Sequence, residues 1–340
     1  MTIDWQPGQK TIQLGDVLVE LMGDPHLGRS FVHGVPAHRR GEREAIQRKV
    51  FEDRMTNTIA DVFVIMGDIF DKFVVSPTVV LFAARVIRAA AQANEGTIFV
   101  VLRGNHDGSR DTTMKSSFDL LEALLSDIEN VLVVSDEPIG FVASEATLGF
   151  APWHPFKNAA EIADELCTAS PTEEFTAVFG HWDVDDFGGE NPNLIPTEQL
   201  MDITGVLITG HVHKPERRTI DGVDVLITGS MLPYAHGEDL TGETYRTVNL
   251  EEARRLVENG EARDLCLRVL LEPDDELDFE IDCLQLRVHR GSVDEVDQSV
   301  DFEAFNMKTL WDEIFAEKGV SSETTDDLWG RLRSSNTDIV

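Results

Sequence analysis

The chain reads as an α/β protein, strands and helices in layers, with a smaller second domain after them. Three observations predict this. Short apolar runs of strand length alternate with segments of helical periodicity. Five of these runs end in a glycine followed by Asp, Asn or His, and ligands in α/β folds gather where strands end at their carboxyl side. After about Thr247 the chain becomes strongly acidic and its apolar runs sparser.

Residues 17–22, 62–66, 98–102, 131–134, 147–151, 176–179, 206–209 and 223–228 are the expected strands, each a short apolar run bounded by polar or turn residues. Residues 77–92 are Ala-rich with apolar positions at helical spacing, and 117–126 and 159–167 follow the same pattern. Residues 265–271 and 283–288 read as strands of the small domain. Residues 301–318 place Phe302, Phe305, Leu310, Trp311, Ile314 and Phe315 at helical spacing, either a helix packed on its own domain or a docking helix for a partner. The expected division is 1–245 for the main domain, 246–295 for a small capping domain and 296–340 for a C-terminal helical segment.

At 340 residues and 42% hydrophobic content the chain can bury a large core. No apolar run reaches the roughly 18 residues a membrane span needs, which argues against a membrane protein. The first residues lack the basic and apolar regions of a secretion signal. Cys167, Cys266 and Cys283 are scattered and odd in number, as expected of buried reduced thiols in a cytoplasmic protein. The net charge is -33, from 62 Asp and Glu against 29 Lys and Arg. That balance suits solubility in concentrated salt and a halophilic host. It also repels nucleic acid at low salt, so any DNA site must be locally basic or filled with metal.

The five motifs are Gly23-Asp24-Pro25-His26, Gly67-Asp68-Ile69-Phe70-Asp71, Gly104-Asn105-His106-Asp107, Gly180-His181 and Gly210-His211-Val212-His213. Asp24 and His26 alternate about Pro25, so on an extended strand end both point one way and can grip one ion. Asp68 can bridge two ions, and Asn105 adds a neutral oxygen that limits the negative charge. His181, His211 and His213 bring imidazoles, which suit Mn, Fe, Zn or Ni better than Ca. Two such ions clamp a phosphoester and activate a water. His106 is placed to give a proton to the leaving oxygen, with Asp107 fixing its orientation. Each motif alone is weak, and their joint order is the signal. His33, His38, His154, His236 and His289 lie outside the motifs and read as ordinary histidines.

In this order the motifs resemble those of the calcineurin-like metallophosphoesterase superfamily, over about residues 17–235. The resemblance implies a two-sheet β-sandwich flanked by helices, with Asp24, His26, Asp68, Asn105, His181, His211 and His213 as metal ligands and His106 as the catalytic histidine. It implies Asp24, His26, Asp68 and His213 around one ion, and Asp68, Asn105, His181 and His211 around the other. Leu102-Arg103-Gly104-Asn105-His106 is similar to the protein phosphatases, but Asp68-Ile69-Phe70-Asp71-Lys72-Phe73 lacks their Arg-Gly. That segment, followed by Ser76-Pro77 and a helix, is similar to SbcD-type DNA double-strand-break repair nucleases. Gly180-His181-Trp182-Asp183 and the chain length are most similar to the recombination endonuclease subunit of tailed phages.

The resemblance therefore implies a two-metal DNA exonuclease and endonuclease, Mn²⁺ being the expected ion. Its partners would be DNA, an SMC-like SbcC-type ATPase and a second nuclease subunit paired through 77–92 and 117–126. Arg39–Lys49, basic in an acidic chain, is expected to touch the phosphate backbone or to form a solvated helix face. The alternative is a phosphatase of the same fold acting on phosphomonoesters or phosphoproteins, with Arg103 binding the substrate phosphate.

Overall fold

The computed structural model describes residues 3–109, 111, 114–169, 174–185 and 191–290. The first half of the chain builds one sheet and the helices on its outer side. β1 (Thr11–Leu14) and β2 (Val17–Met22) form a hairpin, followed by α1 (Glu42–Thr56), β3 (Val62–Ile65), α2 (Pro77–Ala93), β4 (Ile98–Leu102), α3 (Ser117–Leu125) and β5 (Val131–Val134). The sheet order is β1-β2-β3-β4-β5, and β2 to β5 run parallel. Parallel neighbours need crossovers, and the three helices supply them.

The second sheet follows the same scheme. It comprises β6 (Ile139–Ala143), β7 (Ala146–Ala151), α4 (Ala159–Ala169), β8 (Ala177–Gly180), α5 (Thr197–Leu200), β9 (Val206–Thr209), β10 (Glu216–Ile220) and β11 (Val223–Ile227). Its order is β10-β11-β9-β8-β7-β6, with β7, β8, β9 and β11 parallel. The two sheets pack face to face. Val19, Val64, Val100, Leu148, Phe179 and Ile208 meet in the core between them. Phe63, Ile65, Phe99 and Val101, on the other side of the first sheet, pack on α1, α2 and α3. Val178, Leu207 and Val225 do the same toward α4 and α5. The central strands are buried on both faces, which is why they read as unbroken apolar runs. The fold is thus a mixed α/β sandwich of two sheets flanked by helices.

A third sheet follows: β12 (Tyr245–Asn249), α6 (Leu250–Glu258), β13 (Cys266–Leu271) and β14 (Gln285–Arg290), all parallel. Asn249 caps α6 through the amide of Glu252, and Ala253 and Leu256 bury against Leu267, Val269 and Leu271. The strand β12 starts at Tyr245, the last residue of the expected first domain. The expected helix at 301–318, and the whole 296–340 segment, lie outside the described residues. Among the described residues no helix is long and apolar enough to cross a membrane. No cysteine there is bridged, and Cys167 is exposed rather than buried as expected.

The helix α1 overlaps Arg39–Lys49, for which a solvated helix face is one of the two expectations, but no apolar periodicity announces it. Its buried stripe is Arg43, Gln47, Phe51 and Met55, so half of it is polar and the apolar periodicity fails. Arg43 donates to Gln285 Oε1 and to the Tyr245 hydroxyl, and stacks 3.9 Å over Phe31. Arg39, also buried, donates to the carbonyl of Arg263 and to Glu42. Two members of the expected phosphate-binding cluster therefore fasten the small sheet to the first sheet's helical layer. Arg40, Arg48 and Lys49 are exposed.

Candidate metal centre

All five motifs meet at one end of the sandwich. The ends of β2, β3 and β4 bring Asp24, His26, Asp68, Asn105 and His106 from the first sheet, and β8 and β9 bring His181, His211 and His213 from the second. The approach is close enough to require glycine. A Cβ on Gly67, which has φ +108, would strike the His181 ring, and one on Gly104 would strike Asp68.

Strand pleating does not align Asp24 with His26. The strand β2 ends at Met22, and His26 sits in the left-handed region at φ 46. Asp68 (φ 48) and His211 (φ 72) share that strained conformation. The turn at His26 is held from outside: Gln47 on α1 donates to the carbonyls of Pro25 and His26 at 2.9 and 3.0 Å. The hydroxyl of Tyr234 donates to Pro25 at 2.6 Å.

Ligand atoms of Asp24, His26 and His213 lie within 4.8 Å of one another, and so do those of Asp68, His181 and His211. His26 Nε2 faces His213 Nε2 at 3.0 Å. Asn105 Oδ1 lies 3.0 Å from His181 Nε2 and 2.9 Å from His211 Nδ1. Asp68 stands between the groups, its Oδ2 being 3.4 Å from His181 Nε2 and 3.9 Å from His26 Nε2.

The donor set fits divalent ions. Acceptors face acceptors, and Asp24 Oδ2 and His26 Nδ1 are buried with no hydrogen-bond partner. The far nitrogens of three ligand imidazoles are engaged: His181 Nδ1 with the Met66 carbonyl at 2.9 Å, His211 Nε2 with Asp183 at 2.6 Å, and His213 Nδ1 with Glu238 at 3.3 Å. Such partners fix which nitrogen is left for a metal. Asp183 lies two residues after His181, in Gly180-His181-Trp182-Asp183, and its part in holding His211 has no local signal. Glu238 and Tyr234 have no signal in the local sequence.

His106 stands beside these groups. Its side chain is 44% exposed, and its Nε2 is 4.0 Å from Asp68 Oδ2. The carbonyl of Asp71 takes its Nδ1 at 2.7 Å, so Asp107 does not orient it. Asp107 is fully buried and accepts the amides of Gly104, Ile69 and Phe70, tying the second motif to the third. Arg103 is also placed otherwise than expected. Its buried guanidinium pairs with Asp136 at 2.6 Å and Asp119 at 3.1 Å, and lies over Phe118.

Electrostatics express the same crowding. Burial raises Asp24 above the usual carboxylate range. Burial drops the His26 imidazole to about 3, which keeps it neutral. Burial also opposes charge on His181, but Asp68 outweighs it and lifts the imidazole to about 10. Asp68 answers in kind: burial pushes it up, His181 pulls it down, and it ends below its ordinary value. Asp107 is pushed up to about 8 by burial and by the neighbouring Asp68. A divalent cation here would favour ionised carboxylates and neutral imidazoles.

Residues 19–215 match the family model described as calcineurin-like phosphoesterase. No curated protein matches the chain. Among solved structures it is similar to phosphopantetheinyl hydrolase from Mycobacterium tuberculosis at 12% identity, covering 64% of this chain and 93% of that one with a TM-score of 0.38. It is also similar to an archaeal phosphodiesterase at 15% identity, covering 66% and 87% with a TM-score of 0.29. With the family match spanning more than half the chain and the ligand groups assembled at the strand ends, the protein belongs to the calcineurin-like phosphoesterases, which are metal-dependent hydrolases.

Proposed function

We propose that this protein is a two-metal-dependent DNA nuclease that hydrolyses phosphodiesters in double-strand-break processing, together with an SMC-like SbcC-type ATPase. His106 carries the reading. It is a proton donor 4.0 Å from the carboxylate common to both ligand groups, on a side chain open to solvent. An open donor suits the leaving oxygen of a large substrate. With Nδ1 held by the Asp71 carbonyl, the proton leaves from Nε2.

Asp24, His26, Asp68 and His213 would hold one ion, and Asp68, Asn105, His181 and His211 the other. Two bound ions, Mn²⁺ by the mixed imidazole and carboxylate set, supply charge stabilisation and an activated water. The phosphomonoester reading needs Arg103 for the phosphate, and Arg103 is already committed to Asp119 and Asp136. The small sheet acts as the cap and residues 296–340 as the ATPase docking segment in this reading. Leu81 on α2 and Leu120 on α3 are 59% and 48% exposed, which supports a homodimer through these helices.

The test is end-labelled duplex and single-stranded DNA with Mn²⁺ over a range of KCl, beside a phosphomonoester and a small phosphodiester. Mn²⁺-dependent DNA cleavage, retained at high KCl and lost in His106→Ser, is the expected result. Preference for the monoester would overturn the nuclease in favour of the phosphatase.

A further inference from the structure

The side of the small sheet turned away from α6 carries positive charge that no carboxylate among the described residues answers. Thr247, Arg268 and Arg287 form one row across β12, β13 and β14. In-register side chains of parallel strands share a face. His289, two residues beyond Arg287, shares it too. His236 reaches the same face from the loop before β12: its Nδ1 is 3.5 Å from Thr247 Oγ1, and its ring meets Tyr245 edge-on at 5.0 Å. The other face holds Leu267, Val269 and Leu271 against α6.

Among the described residues, Arg268 and Arg287 have no ion-pair partner, and Arg268 Nε is buried with no hydrogen bond. Asp239 does not answer them, since its oxygens take the amides of Thr241, Gly242, Thr244 and Tyr245. Other arginines nearby are matched, Arg254 with Asp278 and Arg263 with Asp282. In a chain of net charge -33, two adjacent arginines without carboxylates are not a default of composition. A paired cationic face with an unused donor is built for an anion, and the planar guanidinium fork fits phosphate.

The position is informative. The loop that carries His236 also carries Tyr234, whose ring lies edge-on to His26 and His213 at 5.5 and 5.6 Å. Glu238, in the same loop, contacts His213 Nδ1 at 3.3 Å. One short loop thus touches both the ligand groups and the basic face. We infer that Arg268 and Arg287, flanked by His236 and His289, form a second anion site that holds a backbone phosphate of the strand being cut. This inference rests on the nuclease reading and adds to it where the flanking strand lies.

The experiment compares kcat/KM for a labelled single-stranded oligonucleotide with that for bis(p-nitrophenyl) phosphate, in wild type, R268Q/R287Q and R287Q, across KCl. The ratio of the two efficiencies should fall about tenfold in the double variant, through the oligonucleotide KM. The salt slope for the oligonucleotide should flatten by about one to one and a half. R287Q, at an exposed position, should show part of both changes, and R246Q on β12 neither. Equal losses on both substrates would mean a structural role and overturn the site, as would an unchanged ratio. A lower oligonucleotide KM in the variant would also overturn it. Wild-type hydrolysis of the small diester with no action on the oligonucleotide would overturn the nuclease reading and this site together. Wild-type cleavage with no variant effect would overturn this site alone.

Discussion

Two regions of this protein bury polar side chains, and they do so in opposite ways. At the metal centre, Asp24, Asp68, His26 and His181 are buried almost completely, yet acceptors face acceptors and two of their atoms have no partner. At the seam with the small sheet, Arg39 and Arg43 are buried too, and both guanidinium groups donate to oxygens of the protein. The first region is suited to cations. The second is paired with oxygens of the protein itself. Burial of charge is therefore no guide to function on its own, and the mismatch of donors and acceptors is.

The sharpest break in this comparison is Asp68→Asn. It removes the charge that stands between the two ligand groups, and phosphodiester hydrolysis should fall at least about a thousandfold. The melting temperature of the metal-free protein should fall as well, because the His181 imidazole holds Asp68 below its ordinary value, and removing one partner of a buried pair leaves the other uncompensated. Full activity in this variant would end the two-metal account. His106→Gln comes next, with kcat down about 10²- to 10⁴-fold and metal content by elemental analysis unchanged. Loss of metal as well would make His106 a ligand rather than a proton donor.

Metal removal separates the regions directly. Chelation should lower thermal stability, and Mn²⁺ at about a hundred times its Kd should restore about 2.7 kcal/mol. Arg43→Ala should instead cost about 1–3 kcal/mol by leaving Gln285 and the Tyr245 hydroxyl without a donor, in metal-free and metal-loaded protein alike. Calorimetry on both forms of both proteins reads this. A metal-dependent effect of Arg43→Ala would show that the seam and the centre are coupled.

The smallest effect concerns His236. Burial, and then Arg268 and Arg287, depress its imidazole from 6.5 to about 4. Between these values the unfolded chain binds more protons than the folded one, so this residue's contribution to stability is present above pH 6.5 and is lost as pH falls toward 4. Urea midpoints at pH 4.5 and 7 should differ less in His236→Asn than in wild type. An unchanged difference would place the effect on other groups.

The legible parts of this chain are those with a local physical cause. Strands buried on both faces are apolar almost throughout, and residues 98–102 and 206–209 match the observed strands residue for residue, as do the partly buried 17–22 and 131–134. The helices α2 and α3 were equally plain, since their buried stripes are apolar. The helix α1 was not, because Arg43 and Gln47 occupy its buried stripe. The half-buried strand β10 (Glu216–Ile220) hides for the same reason: only one of its five residues, Ile220, is apolar.

At the centre, the sequence by itself singled out every residue of the two ligand groups and His106, because glycine followed by a metal-liganding side chain after a strand is a local pattern. Only the tertiary structure decided their outer contacts. The partners Asp183, Glu238 and the Asp71 carbonyl reach the imidazoles of other segments, and the sites for Asp107 and Arg103 were set by which amides and carboxylates lay within reach. A side chain's chemistry is written at its own position. Its partners are chosen by the packing of two sheets, and contacts between residues more than a hundred positions apart, as His181 with Met66, leave no mark on the sequence around either.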